Sequence, residues 1–143
     1  KTCIFCSDFM FFLVLSFFYK LMTQKTKQKL EEMYNSLNLK YWNNSLPIIP
    51  IIIKELKNAY GEYNCPNNKQ EDIFKNYSIV INARMHWRSK KSMRSTLLHE
   101  MCHHSIFIQN KEKYWNNKII WHGKEWRKEM KRVGFKGKIT KYT

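Results

Sequence analysis

An α+β fold in a single domain is the architecture this sequence predicts, and three observations carry it. Short runs rich in β-branched and aromatic residues ("IIPIIIKEL", "NAYGEYNC" and "NYSIVINAR") fall together in the middle of the chain. Patterns of helical period lie on either side of them. No internal repeat interrupts the order helix, three strands, helix, helix, which is the segregated order of α+β rather than the alternation of α/β. A chain of 143 residues can bury a core without disulfide staples, and five Trp, eight Tyr and nine Phe supply apolar bulk for it.

Residues 1–21 are expected to stand apart from that domain. Positions 9 to 19, "FMFFLVLSFFY", form an apolar run of signal-peptide length that is too short to span a bilayer comfortably. No small-residue cleavage pattern follows it. The expectation is that 1–21 are translated upstream sequence or the edge of a fragment, with a signal or membrane anchor as the alternative. Membrane or secreted localisation follows only if that run is a genuine anchor or signal.

The domain proper is expected over 22–134. From Thr23 to about Leu39, the residues Leu30, Met33, Tyr34 and Leu37 recur at helical spacing, with Lys and Glu on the other face. "NNSLP" breaks the pattern, and Pro47 and Pro50 confine the isoleucine run to a strand start or edge. The second strand carries Gly61 among alternating aromatics, the mark of a bulge or a close backbone approach. "CPNNKQED" is a loop by composition, and the third strand runs from Tyr77 to Asn82. The helix of "TLLHEMCHH" is expected to begin near Ser92 or Ser95 and to end in a polar loop, "NKEKYWNN". A last helix is stopped by Gly134, and 135–143 form a basic tail.

Lys and Arg number 26 against 11 Asp and Glu, a formal charge of +15. Such an excess favours anionic partners, nucleic acid before an acidic membrane. Because 21 of the 26 are Lys, beside abundant Asn and Ile, an A- and T-rich coding sequence accounts for part of the bias. The four cysteines, Cys3, Cys6, Cys65 and Cys102, give one lone C-x-x-C and no four-cysteine zinc ribbon. A reduced setting, cytoplasmic or with the nucleoid or nucleus, is the expectation.

Chemistry concentrates in "HEMCH". His99 and His103 are four apart, so at about 100° per residue they lie about 40° apart on one helical face. Two imidazoles so placed can reach one Zn2+, and Glu100 flanks that ion as a general base for its water. Leu97, Met101 and Ile108 fall on the opposite, core-facing side. His104 is aimed away from His103 and is read as a hydrogen-bonding neighbour of the site, while Cys102 suits the core. The five-residue pattern recurs by chance in unrelated helices, so a third ligand is required to read it as a metal site. Position 109 is Gln, so the longer H-E-x-x-H-x-x-G-x-x-H pattern fails. Glu125 and Glu129 are candidates for the third ligand, and His122 in "WHGKEW" is the best one, with Gly123 leaving room for close approach.

Together "YNSLNLKYWNNSLP", "AYGEY", "IVIN", "TLLHEMCHH" and "WHGKEWRKEMKRVG" resemble the SprT-like zinc metalloprotease domain, in the family's order, from about Met33 to Gly134. The resemblance implies a zincin-like or minigluzincin-like α+β fold and peptide-bond hydrolysis. It implies His99, His103 and His122 as zinc ligands, Glu100 as the catalytic residue and Trp126 at the family's aromatic position near the site. Several members act on DNA-bound proteins, and many add a zinc-ribbon or other DNA-binding segment after the core. The segment after Gly134 here is basic and carries no cysteine.

The function expected is therefore a zinc-dependent endopeptidase acting on protein or peptide substrates, with DNA-associated proteins as one substrate class. The sequence assigns no oxyanion partner, and His104 is the only candidate. The alternative is a nucleic-acid-binding module whose zinc site is structural. Candidate nucleic-acid contacts are Arg88, Lys90, Lys91 and Arg94 before the histidines, and Arg127, Lys128, Lys131 and Arg132 after them.

Overall fold

The computed structural model describes residues 5–71, 76–84, 89–116 and 121–135. Arg88 and tail residues 136–143 lie outside them, as does Cys3. Helix α1 runs from Phe5 to Trp42 without interruption, so the boundary expected at residue 21 is not a break in secondary structure. The reason is local: no Gly or Pro occurs before Pro47. Thr23 and Thr26, which could have favoured a turn, return their hydroxyls to the carbonyls of Tyr19 and Met22, each at 2.9 Å. Phe17, Tyr19, Leu21 and Met22 are exposed, and the core residues among the described side chains of the helix are Leu30, Tyr34, Leu37 and Trp42. Among the described residues no helix is long and apolar enough to cross a membrane.

Asn43 and Asn44 leave α1 with left-handed φ values of 51° and 60°, a conformation asparagine tolerates. Asn38 closes the turn by donating to the Leu46 carbonyl at 2.7 Å and accepting from its N–H at 3.2 Å. Both prolines then precede the first strand, β1 (Ile51–Lys54), where no ladder donor is lost. Strands β2 (Gly61–Asn64) and β3 (Ser78–Asn82) complete a sheet of order β1-β3-β2. β1 runs parallel to β3, with Ile51 opposite Ile79 and Ile53 opposite Ile81. β2 runs antiparallel to β3, with Gly61 opposite Ile81 and Tyr63 opposite Ile79. As the central strand, β3 buries Ile79, Val80 and Ile81, which alternate between its two faces. Buried Asn82 donates to the carbonyls of Leu56 and Ala59, each at 2.8 Å, and so fixes the turn into β2.

Helix α2 (Lys90–Trp115) packs on β2 and β3, with α1 and α3 (Lys124–Arg132) against it. It begins earlier than the sequence suggests, because Ser89 rather than Ser92 or Ser95 caps it, accepting from the Ser92 N–H at 3.3 Å. It also continues through the expected loop "NKEKYW", with one non-helical residue, Asn110. Polar composition suggested a loop there, yet Tyr114 and Trp115 have an apolar partner in Phe107, at 4.9 and 6.2 Å between ring centroids. Tertiary packing decides the outcome. Cys65 and Cys102 are both free thiols.

A buried polar knot joins the three helices. Trp42 Nε1 of α1 donates to Ser105 Oγ and Glu129 Oε1 at 2.9 and 2.8 Å, and Ser105 Oγ donates to the same carboxylate oxygen at 2.8 Å. Arg132 donates from Nε and Nη2 to the two oxygens of Glu129, each at 2.8 Å, and from Nη1 to the Tyr41 carbonyl. Burial alone would raise the Glu129 carboxyl, but the hydrogen bonds from Arg132, Ser105 and Trp42 outweigh it and hold the group below the usual range.

Candidate metal centre

The knot sets α3 against α2 so that the residue two before α3 faces the middle of α2. There His99 and His103, one helical turn apart, meet His122. His99 Nε2 lies 3.2 Å from His103 Nε2, and His122 Nε2 lies 3.0 Å from each. A tetrahedral zinc ion with bonds of about 2.0–2.1 Å holds its nitrogens roughly 3.3–3.4 Å apart. The triangle is therefore close to one face of that tetrahedron, built from three copies of the same ring nitrogen. Among the described residues no other group of His, Cys, Asp or Glu is placed to hold a metal ion.

What holds the rings is largely Trp126, which is 1% exposed. Its ring stacks on His103 at 5.2 Å and 20°, and meets His99 and His122 edge-on at 4.7 and 4.6 Å. One side chain of α3 thus packs against all three histidines. On the far side of α2, Leu97 and Met101 are wholly buried and Ile108 partly so, the core stripe the spacing predicts.

Glu100 is 6% exposed and lies under β2. A Cβ built on Gly61 would stand 2.8 Å from Glu100 Oε1 and 2.8 Å from Thr96 Cγ2, closer than any real side chain allows. The close approach expected at Gly61 is therefore to the carboxyl of Glu100, the residue after His99 in α2. Burial, with a smaller contribution from Glu62, pushes the Glu100 carboxyl up to about 8. A divalent cation beside it acts in the opposite direction.

The histidines are held neutral. Burial first, and His122 second, lower His99 to about 4. Burial, then His99 and His122, lower His103 to about 2. His122 is lowered by burial and then by Arg127. Neutral imidazoles are the form that binds a metal.

A pH dependence follows for the metal-free protein. The unfolded chain takes up protons on these histidines as pH falls through about 6.5, whereas the folded chain refuses them until about 4 or below. Stability is therefore lost between those values. Glu100 works the other way, costing stability as pH rises from 4.5 towards 8. Several histidines outweigh one carboxyl, so the urea midpoint of metal-free protein should fall from pH 7 to pH 5. An unchanged or higher midpoint at pH 5 would contradict the depressed histidines.

His104 does not join the triad. Wholly buried, it donates from Nε2 to the Pro47 carbonyl at 3.1 Å, so Nδ1 is free to accept from the Tyr63 hydroxyl at 3.0 Å. Tyr34 also donates to Pro47 O, at 2.6 Å. His104 thus ties α2 to β2 and to the segment that precedes β1, through both of its ring nitrogens. Glu129 has both oxygens engaged in the knot, and Glu125 is exposed in the first turn of α3.

The basic candidates divide. Lys90, Lys91, Lys128 and Lys131 are exposed. Arg94 donates to the Tyr41 hydroxyl at 3.3 Å, Arg127 to the His122 carbonyl at 3.0 Å, and Arg132 belongs to the knot. Sequence reading missed Trp121, Tyr63 and Tyr114. Trp121, 37% exposed, lies 5.2 Å from His103, with Tyr114 at 4.8 Å and Tyr63 at 6.2 Å behind it. The "W" of "WHG" was the only available signal for this aromatic wall.

Comparison with known proteins adds a family. The model of the SprT-like family matches residues 30–143. No curated protein matches the chain. Among solved structures, the metallopeptidase zymogen of Methanocaldococcus jannaschii, jannalysin, is similar over 76% of this chain and 83% of its own. The identity is 19% and the TM-score 0.49.

Proposed function

Because the chain belongs to the SprT-like family, we propose that it is a zinc-dependent endopeptidase, with His99, His103 and His122 as metal ligands and Glu100 as general base. The observation that carries this is the convergence of three Nε2 atoms within 3.2 Å of one another, with the buried Glu100 next to His99 in the same helix. Nitrogen ligands in that arrangement suit zinc. Structural zinc sites are closed by four protein ligands, whereas the described residues supply three here. That favours a catalytic site over the structural zinc of a nucleic-acid-binding module.

When bound, zinc supplies Lewis acidity, polarising the scissile carbonyl and lowering the pKa of a water towards about 7. Glu100, next to His99 in α2, accepts the proton of the attacking water and passes it to the departing amine. Burial raises this carboxyl in the metal-free protein, and a bound cation would oppose that shift and favour the carboxylate that accepts the proton. Gly61, lacking a Cβ, lets β2 pack directly over this carboxyl without a clash. Trp126 keeps the three imidazoles oriented and shields their rear from water.

Exposed Lys124, Lys128 and Lys131 on α3, with Lys90 and Lys91 on α2, support proteins associated with DNA as the substrates. The test is hydrolysis of a disordered, DNA-binding protein by the purified chain. Cleavage should stop on chelation, return with zinc, and accelerate when double-stranded DNA is added at low salt. Cleavage insensitive to chelation would end the zinc reading, and zinc-dependent cleavage indifferent to DNA would remove the DNA-associated substrate.

A further inference from the structure

Three ligands converge, but they are not held alike. His99 and His103 sit within α2, their backbone fixed by helical hydrogen bonds. His122 lies in the connection two residues before α3, and its φ is +59°. That left-handed conformation is unfavourable for a residue with a Cβ unless its surroundings enforce it. Asn43 and Asn44, at the end of α1, adopt it with a side chain suited to it. Histidine is found there more often than most residues, yet the conformation remains uncommon for any residue but glycine.

What enforces the turn is visible one helical turn later. Arg127 Nε donates to the His122 carbonyl at 3.0 Å, while the Arg127 N–H donates to the Gly123 carbonyl at 3.0 Å. The two bonds fix consecutive peptide planes directly after the ligand. The Arg127 side chain otherwise lies on the exposed face of α3. Its Nε donor is turned inwards to the backbone instead of outwards to an anionic partner.

We propose that Arg127 is a positioning residue for the metal site: its guanidinium clamps the His122 carbonyl and so holds the left-handed turn that aims His122 Nε2 at His99 and His103. The proposal rests on the reading that these three histidines bind the metal. It reassigns Arg127 from the basic surface to the site, and it makes a prediction of unusual sign. By charge alone, removing a cation near a zinc site strengthens zinc binding. If the clamp matters, removing it weakens binding.

Two substitutions separate donor from charge. Arg127→Met keeps the aliphatic stem and loses both. Arg127→Gln loses the charge but carries an N–H donor on Cδ, where Arg carries Nε. Zinc affinity of the full chain is read by competition with a chromophoric chelator at pH 7, and ligand geometry by the visible bands of the cobalt-substituted protein. R127M should bind zinc about tenfold more weakly, the scale of losses when a ligand's supporting bond is removed, with altered cobalt bands. R127Q should stay near the parent in both. Far-UV circular dichroism of the metal-free variants, expected to match the parent, keeps the comparison one of affinity rather than folding. Equal or tighter zinc binding by R127M overturns the clamp alone. A parent chain that binds no zinc overturns the metal reading, and the clamp with it.

Discussion

Glu100→Gln is expected to leave the protein folded and able to bind zinc, while kcat/KM for peptide hydrolysis falls by about a thousandfold, the scale of a lost general base. The fall should lie in kcat, because the carboxylate acts on the proton in flight and is not needed to bind the substrate. The amide has nearly the volume of the acid, so it fits under Gly61, where a Cβ would already collide with Oε1. Zinc binding should persist because the converging nitrogens belong to His99, His103 and His122. A second readout comes from burial. The Glu100 carboxyl is pushed up to about 8, so ionising it costs stability as pH rises from 4.5. A neutral amide has no such cost, and metal-free E100Q should be more stable than the parent at pH 8. Retention of full activity by zinc-loaded E100Q would remove Glu100 from the chemistry. Loss of zinc along with activity would make it a ligand instead.

How much of this could be read from the sequence depends on the distance over which each feature is encoded. The facing of His99 and His103, and the core stripe of Leu97 and Met101, follow from helical period alone. Gly61 announced a close approach but not its object, because the contact joins β2 to a helix nearly forty residues on. His122 could be nominated from its type and its glycine, whereas its left-handed backbone and its bond to Arg127 could not. Arg127 and Arg132 look alike in the sequence as basic residues of one helix. One grips the ligand turn and the other neutralises Glu129, and neither role has a local signature. The polar stretch "NKEKYW" misled for a similar reason, since its aromatic anchors count only once Phe107 is beside them. His104 shows the same limit, because both of its partners, Tyr63 and Pro47, come from the far side of α2.

His122→Ala carries the remaining weight of the site. Removing only the outer support of a ligand costs roughly 10–100-fold in metal affinity, so loss of one ligand of three should exceed 100-fold and leave the purified variant without zinc. The rise in melting temperature that zinc gives the parent should vanish in the same variant, since stabilisation requires binding to the folded state. Alanine also sits poorly at a φ of +59°, so a fall in stability alone would be ambiguous. His122→Asn resolves this. Asparagine accepts the left-handed turn, leaving loss of the imidazole as the difference that matters. Both variants should lose zinc, and the metal-free stability of H122N should stay near the parent's. Glu125→Gln, which alters an exposed carboxylate of the first turn of α3, should bind zinc as the parent does. If zinc stayed with H122N and left with E125Q, the third ligand would be the glutamate. Trp126 would then pack against two ligating histidines and a third, His122, that holds nothing.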